Sequence, residues 1–398
     1  MLLSSWFMWA LVGVTGALGG EAVLLERRRL QRRRHGTIGR GRAWLGRVVS
    51  VAVLVSAVSA TIADHENRQY SYIPSFAALL GDISPNLRHG GLSSVKSLQH
   101  NPQPGAPRGV VVEIPIPGKV SALGARPAYV YLPSAYFSRT ARGQRFPVLY
   151  MLHGSPGVAA DWVRGGQLDR AMERLSAAGA VSPFIVVMPD VNGGYRRDLE
   201  CQNVPGGVAD ETYLSVDVVR YIDAHFRTIN DRRQRAIGGL STGGYCAINI
   251  AFHHQDLFSA VVSHSGSGRP DHSRYTGNLF GNDRARKRAN TPDLYLGRLP
   301  ISYPMAVYLD SGARDQWSRP ETRRLQEILA AKGVPLEVHV FGGQRHSFTA
   351  WRTNLTISLP WLSKQFERTG SSSKRASPPI ASARYEKEAC TCGERTAG

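Results

Sequence analysis

A chain of 398 residues with 42% hydrophobic content can bury one large core or two modest ones, which excludes disorder throughout. The net charge of +19 raises nucleic-acid binding as a reading, so the placement of the basic residues matters more than their total. Eight arginines crowd between Arg27 and Arg42, flanked by two apolar segments and without aromatic rings to stack on bases, a pattern of membrane topology rather than of nucleic-acid binding.

The first apolar segment, residues 1–20, has no charged side chain and carries Trp6, Phe7 and Trp9 near its start, where aromatic rings favour a membrane interface. The second, residues 43–63, contains only Arg47 as a charge, close enough to its basic end to snorkel toward headgroups. A cleaved signal peptide would call for a basic stretch ahead of the first segment, and none precedes it. Residues 1–64 therefore read as a two-helix membrane anchor whose arginine-rich loop stays cytoplasmic, which puts the bulk of the chain outside the cell membrane. Residues 65–108, with Tyr70-Ser71-Tyr72-Ile73-Pro74 and a Pro- and Gly-rich end, read as an extracytoplasmic linker.

From Gly109 short β-rich runs alternate with helical stretches, the pattern of an α/β fold with a largely parallel sheet. Strands are expected at 110–114, 128–132, 148–152, 184–188, 235–238, 260–264, 305–310 and 336–340, most of them continuous apolar runs suited to burial on both faces. Helices are expected at 168–178, 212–226, 241–254, 321–332 and 354–366. One domain, 109–368, follows from this, and 369–398 reads as a disordered tail.

Within that domain, Gly239-Leu240-Ser241-Thr242-Gly243-Gly244 follows a strand and opens a helix. A G-x-S-x-G turn in that context holds its serine in a strained conformation above the sheet edge, so Ser241 is the candidate nucleophile. A serine needs a base and the base an orienting acid. Asp315 follows the strand at 305–310 and His346 follows the strand at 336–340, which reproduces the order Ser, Asp, His of α/β hydrolases. Asp310 is the alternative acid, disfavoured because it sits at a strand end rather than in a loop. Past the strand at 148–152 comes His153-Gly154-Ser155-Pro156-Gly157, and the backbone amides of Ser155 and Thr242 are the candidate oxyanion donors.

His153-Gly154 before Asp161-Trp162, the Gly-Leu-Ser-Thr-Gly-Gly-Tyr elbow, Gly312 to Asp315, and Gly-Gly-Gln-Arg-His-Ser-Phe ahead of Trp351 resemble the Putative esterase family, which includes esterase D, feruloyl esterases and the antigen 85 mycolyltransferases. The resemblance covers about 109–368, and with its N-terminal membrane segment the chain is similar to the membrane-anchored members from actinobacteria. It departs where Gln344-Arg345 precede His346, since the family often has Gly-Gly-His there. The resemblance implies an α/β-hydrolase fold and acyl-ester chemistry through a serine nucleophile, ending in hydrolysis or in transfer of the acyl chain to a sugar or envelope acceptor. A membrane-tethered binding module without turnover is the alternative of another class.

Cys201, in a loop after the strand at 184–188, and Cys246, one turn into the helix that Ser241 opens, both fall near the active-site edge. An outward-facing domain would let them persist as a disulfide, a pairing the family's structures make plausible; two inert buried thiols are the competing reading. The basic run Arg284-Ala285-Arg286-Lys287-Arg288 reads as a solvated loop or as a patch for anionic substrates. Cys390 and Cys392 form an isolated pair, and no metal-ligand spacing or cofactor motif is visible.

Overall fold

The computed structural model describes residues 108–373, apart from 195, 196, 272–275 and 278, together with 86–88, 90–100 and scattered positions between 51 and 84. The first expected membrane span, the arginine-rich loop and the Cys390/Cys392 pair lie outside the described residues. Of the second span, the described positions between 51 and 61 are helical, and Val51, Leu54, Val55 and Val58 are exposed. Among the described residues no helix is long and apolar enough to cross a membrane.

Nine strands form one sheet: β1 (Leu87–Arg88), β2 (Val110–Ile116), β3 (Arg126–Leu132), β4 (Val148–Leu152), β5 (Ile185–Pro189), β6 (Arg235–Leu240), β7 (Ala260–His264), β8 (Ala306–Gly312) and β9 (Leu336–Phe341). Their order is β1-β2-β3-β5-β4-β6-β7-β8-β9, parallel from β5 to β9, with β3 antiparallel to both β2 and β5. Every residue of β4, β5, β6, β7 and β8 is buried, which is why these strands read as unbroken apolar runs rather than as alternating ones.

The helices are α1 (Gly91–His100), α2 (Asp161–Arg164), α3 (Leu168–Ala177), α4 (residues 210–225, with a π-helical stretch at Tyr213–Asp217), α5 (Thr242–His253), α6 (Arg284–Ala289), α7 (Pro292–Tyr295), α8 (Ser318–Ala331) and α9 (Phe348–Ser373). One core lies between the sheet and α1, α4, α5 and α8, with Val95, Ile222, Ile248 and Leu325 buried in it. The other lies between the opposite face and α2, α3 and α9, around Trp162, Met172, Leu355 and Leu362. Sandwiching the sheet in this way removes both of its faces from water, so the crossover helices are what make the parallel strands stable.

Two boundaries move. The stretch 65–108 is no mere linker where it is described. β1 pairs in parallel with β2, α1 turns Leu92, Val95 and Leu98 toward the core, and Ser84 and Asn86 both donate to the buried carboxylate of Asp169, at 2.5 and 2.9 Å. A two-residue strand has no readable period, and the serines of α1 dilute its apolar stripe, so neither element stands out in the sequence. α9 runs to Ser373 and so takes in the first residues of the expected tail.

Candidate active site

β6 ends at Leu240, and the next residue, Ser241, turns the chain at φ 53° and ψ −123° before α5 begins at Thr242. A side chain at positive φ is costly, and this one is held by its surroundings. The Ser241 amide donates to the His264 carbonyl at 2.9 Å, and the Ser241 carbonyl accepts from Gly244 and Tyr245. The turn is so tight that a Cβ on Gly239 would lie 2.3 Å from the Gly243 carbonyl oxygen, and one on Gly243 would lie 2.4 Å from the carbonyl oxygens of Leu152 and His153. Only glycine fits at these two positions, which is the physical content of the motif.

The loops after β8 and β9 meet beside this serine. Ala313 donates to Phe341 and Arg314 to Gln344, while Gly312 leaves room for the Gln344 carbonyl, where a Cβ would come within 2.4 Å. Gln344-Arg345 thus belong to the contact that seats the histidine loop against the acid loop. His346 Nδ1 lies 2.7 Å from Asp315 Oδ2, and its Nε2 lies 2.9 Å from Ser241 Oγ. An ionised carboxylate only accepts, so Nδ1 carries the proton and Nε2 is left to accept from the serine hydroxyl. The imidazole stands edge-on between two indoles, Trp317 at 5.3 Å and Trp351 at 5.0 Å between ring centres.

Burial works against the charge of Asp315, but the hydrogen bond and charge of His346, together with Ser318 at the start of α8, outweigh it and hold the carboxyl down at about 2. Its Oδ1 accepts from the amides of Trp317 and Ser318 at 3.2 and 3.0 Å. Asp310 is elsewhere. Its carboxylate is fully buried inside β8 and accepts from His264 Nδ1 at 2.6 Å, so the strand that was expected to end at 310 carries this side chain into the core instead of toward His346.

The loop after β4 passes directly beside the serine, since a Cβ on Gly154 would lie 3.2 Å from Ser241 Cβ. Neither the Ser155 nor the Thr242 amide donates a hydrogen bond among the described residues, Thr242 being the first residue of α5. His153 anchors the loop from below: its Nδ1 pairs with the Gly154 carbonyl at 2.7 Å and its Nε2 accepts from the Val191 amide at 3.1 Å. Cys201 and Cys246 are joined in a disulfide with 5.7 Å between their Cα atoms, tying the loop after β5 to the first turns of α5. The basic run forms the exposed helix α6, and the following residue, Asn290, accepts from the Tyr245 hydroxyl at 2.7 Å. Among the described residues no group of three or more His, Cys, Asp or Glu side chains is arranged to hold a metal ion.

Trp317 and Tyr72 lie outside the family's motifs, whereas Asp161 and Trp351 fall within them without a role being assigned there. Trp317 and Trp351 brace His346, and Asp161 and Tyr72 hold the loop after β4. Trp351 follows His346 at close spacing and so had a local signal. Tyr72 carries no such signal, because 89 positions of chain separate it from Asp161.

The central parallel sheet, the serine elbow at its edge and the crossover helices on both faces define an α/β-hydrolase-like fold. Within that class the chain belongs to the Putative esterase family, whose model matches residues 123–362. It is 29% identical over 271 residues to an uncharacterized protein of Corynebacterium glutamicum, an alignment that covers 65% of this chain and 62% of that one. An esterase of Mycobacterium tuberculosis is 34% identical over 149 residues, 37% of this chain and 31% of the relative. An endo-1,4-beta-xylanase/feruloyl esterase of Xylanibacter ruminicola is 29% identical over 56% of this chain and 27% of its own length. The chain thus spans less than two thirds of each of these curated relatives. Among solved structures, a ferulic acid esterase superposes with a TM-score of 0.58 at 26% identity, covering 66% of this chain and all of that one. An S-formylglutathione hydrolase from Agrobacterium tumefaciens superposes with a TM-score of 0.55 at 19% identity, covering 66% and 98%, and speaks to the fold alone.

Proposed function

We propose that this protein is a serine carboxylic-ester hydrolase that works through a Ser241–His346–Asp315 triad and an acyl-enzyme. The observation that carries the reading is the hydrogen-bonded line from Asp315 Oδ2 through the imidazole of His346 to the hydroxyl of a serine on a strained elbow. As Ser241 Oγ attacks an ester carbonyl, His346 Nε2 takes its proton, and Asp315 keeps the imidazole in the required tautomer and stabilises the imidazolium. The carbonyl oxygen becomes an oxyanion facing the amides of Thr242 and Ser155. Collapse expels the alcohol, which receives the proton from His346. Water activated by the same imidazole then attacks the acyl-serine and releases the acid. Family membership and the ferulic acid esterase likeness support ester chemistry, and the half-exposed indole of Trp317 offers an apolar wall beside the base.

The reading extends to an anchored domain outside the membrane. It is supported by the two apolar segments around an arginine-rich loop and by a disulfide suited to an oxidising compartment. The test is to incubate the purified full chain with p-nitrophenyl esters of increasing acyl length and with methyl ferulate, with and without a sugar acceptor. Release of free acid that depends on Ser241 supports the hydrolase. Acyl-sugar in place of acid would turn the reading to a transferase, and neither product, with no labelling of Ser241 by a fluorophosphonate, would overturn the triad.

A further inference from the structure

The segment between the second apolar stretch and the hydrolase domain is docked onto the machinery of the proposed site. Tyr72 Oη donates to Asp161 Oδ1 at 2.7 Å, and the other oxygen of the same carboxylate accepts from the Val158 amide at 3.0 Å. Asp161 is 5% exposed, and the loop lies hard against it: a Cβ on Gly157 would fall 2.5 Å from Asp161 Oδ2 and 2.9 Å from His153 Nδ1. The ring of Tyr72 packs edge-on to Phe348 at 5.2 Å, Phe348 packs on Trp351 at 4.9 Å, and Trp351 packs on His346. Arg352 clasps the same segment, its Nη1 donating to the Ser71 carbonyl at 3.2 Å and to the Gly165 carbonyl at 2.6 Å.

We propose that Tyr72 is a positioning residue for ester turnover: its hydroxyl, through Asp161, sets the loop that carries Ser155, while its ring steadies the side of α9 that backs His346. The inference rests on the proposed serine-esterase reading and deepens it. A buried carboxylate oxygen that loses its hydroxyl donor must find another partner, and the cheapest available movement is of the short loop whose amide the other oxygen already holds. A loop displaced by a fraction of an ångström carries its amide away from the place where the oxyanion forms, whereas a ground-state ester, which carries no such charge, loses little binding. The signature is therefore a fall in kcat at unchanged KM.

The experiment compares the full-length chain with Tyr72→Phe and Tyr72→Ala. It reads kcat and KM on p-nitrophenyl acetate, the rate of fluorophosphonate labelling at Ser241, and the thermal midpoint. Tyr72→Phe keeps the ring and removes only the hydroxyl; it is expected to lower kcat and the labelling rate together by about tenfold with KM unchanged, and Tyr72→Ala to lower both further. A Tyr72→Phe chain that labels and turns over at the wild-type rate overturns the proposal. So does one whose loss lies wholly in KM, or one in which the thermal midpoint falls while kcat stands. A wild-type chain that neither labels nor turns over sinks the esterase reading itself, whereas a wild type that labels beside an equally fast Tyr72→Phe sinks only the role of Tyr72.

Discussion

Two lines of serine, histidine and aspartate run through this molecule. In one, Ser241, His346 and Asp315 stand at 2.9 and 2.7 Å, and in the other Ser358, His264 and Asp310 stand at 3.3 and 2.6 Å. The residue types and the acid–imidazole contacts are nearly the same, but the settings differ. His346 is partly open, its side chain 23% exposed, whereas His264 and Asp310 are entirely buried. Ser241 sits on a strained turn with the first amide of α5 beside it, while Ser358 lies in the middle of α9, whose interior amides are spent on the helix. The second line can hold β7, β8 and α9 together, and it has neither an entrance for an ester nor donors for an oxyanion. Composition alone therefore does not separate the proposed triad from a buried structural line; access and the placing of backbone amides do.

The comparison breaks first at the serine. Ser241→Ala is expected to lower kcat by about a thousandfold or more and to abolish fluorophosphonate labelling while circular dichroism stays that of the wild type. A variant retaining a large share of turnover would remove Ser241 from the chemistry.

Next comes the acid. Asp315→Asn should lower kcat by roughly two to four orders of magnitude, because the amide that replaces the carboxylate favours the wrong imidazole tautomer. Asp310→Asn should act on stability instead. Weakening the buried hydrogen bond from His264 is expected to cost about 1–3 kcal/mol, read as a lower urea midpoint, while the folded fraction still labels at Ser241. The reverse pattern, lost labelling at undiminished stability, would make Asp310 the acid of the site.

Acid titration sharpens the contrast in a different way. Asp315 is held down at about 2 with burial opposed and outweighed by His346, and Glu211 is held down at about 2 with burial opposed and outweighed by His253 and His254. A carboxyl whose folded value lies below its unfolded one adds stability that is fully present above the unfolded value, near 4, and is lost as the pH falls toward 2. Thermal midpoints measured from pH 5 to pH 2 should fall across that window, and Asp315→Asn should flatten part of the fall. Curves of identical slope for the two proteins would assign the acid sensitivity to other groups.

The smallest effect belongs to Ser358→Ala. Its hydroxyl makes one long contact to His264, so stability should change by no more than about 1 kcal/mol and kcat should be that of the wild type. A loss of turnover in this variant would mean that the buried line reaches the site after all.

Much of this was legible in the sequence because the signals are local. A glycine on either side of a serine, between a strand and a helix, specifies an elbow through contacts within a few residues. Continuous apolar runs announce buried strands, and the positions of Asp315 and His346 just past two of them place both at the same sheet edge. What the tertiary structure alone decided is everything that joins distant segments. The period of two residues cannot announce β1, whose pairing with β2 exists only once the sheet is assembled. β8 continues past Asp310, whose side chain pairs with His264 rather than His346, so the carboxylate beside His346 comes from the next loop; the direction of a side chain at a strand end depends on register with the neighbouring strands. The contact of Tyr72 with Asp161 and Phe348 brings together three segments that share no pattern, because a hydrogen bond and a ring contact formed in the folded core leave no periodicity in the chain that makes them.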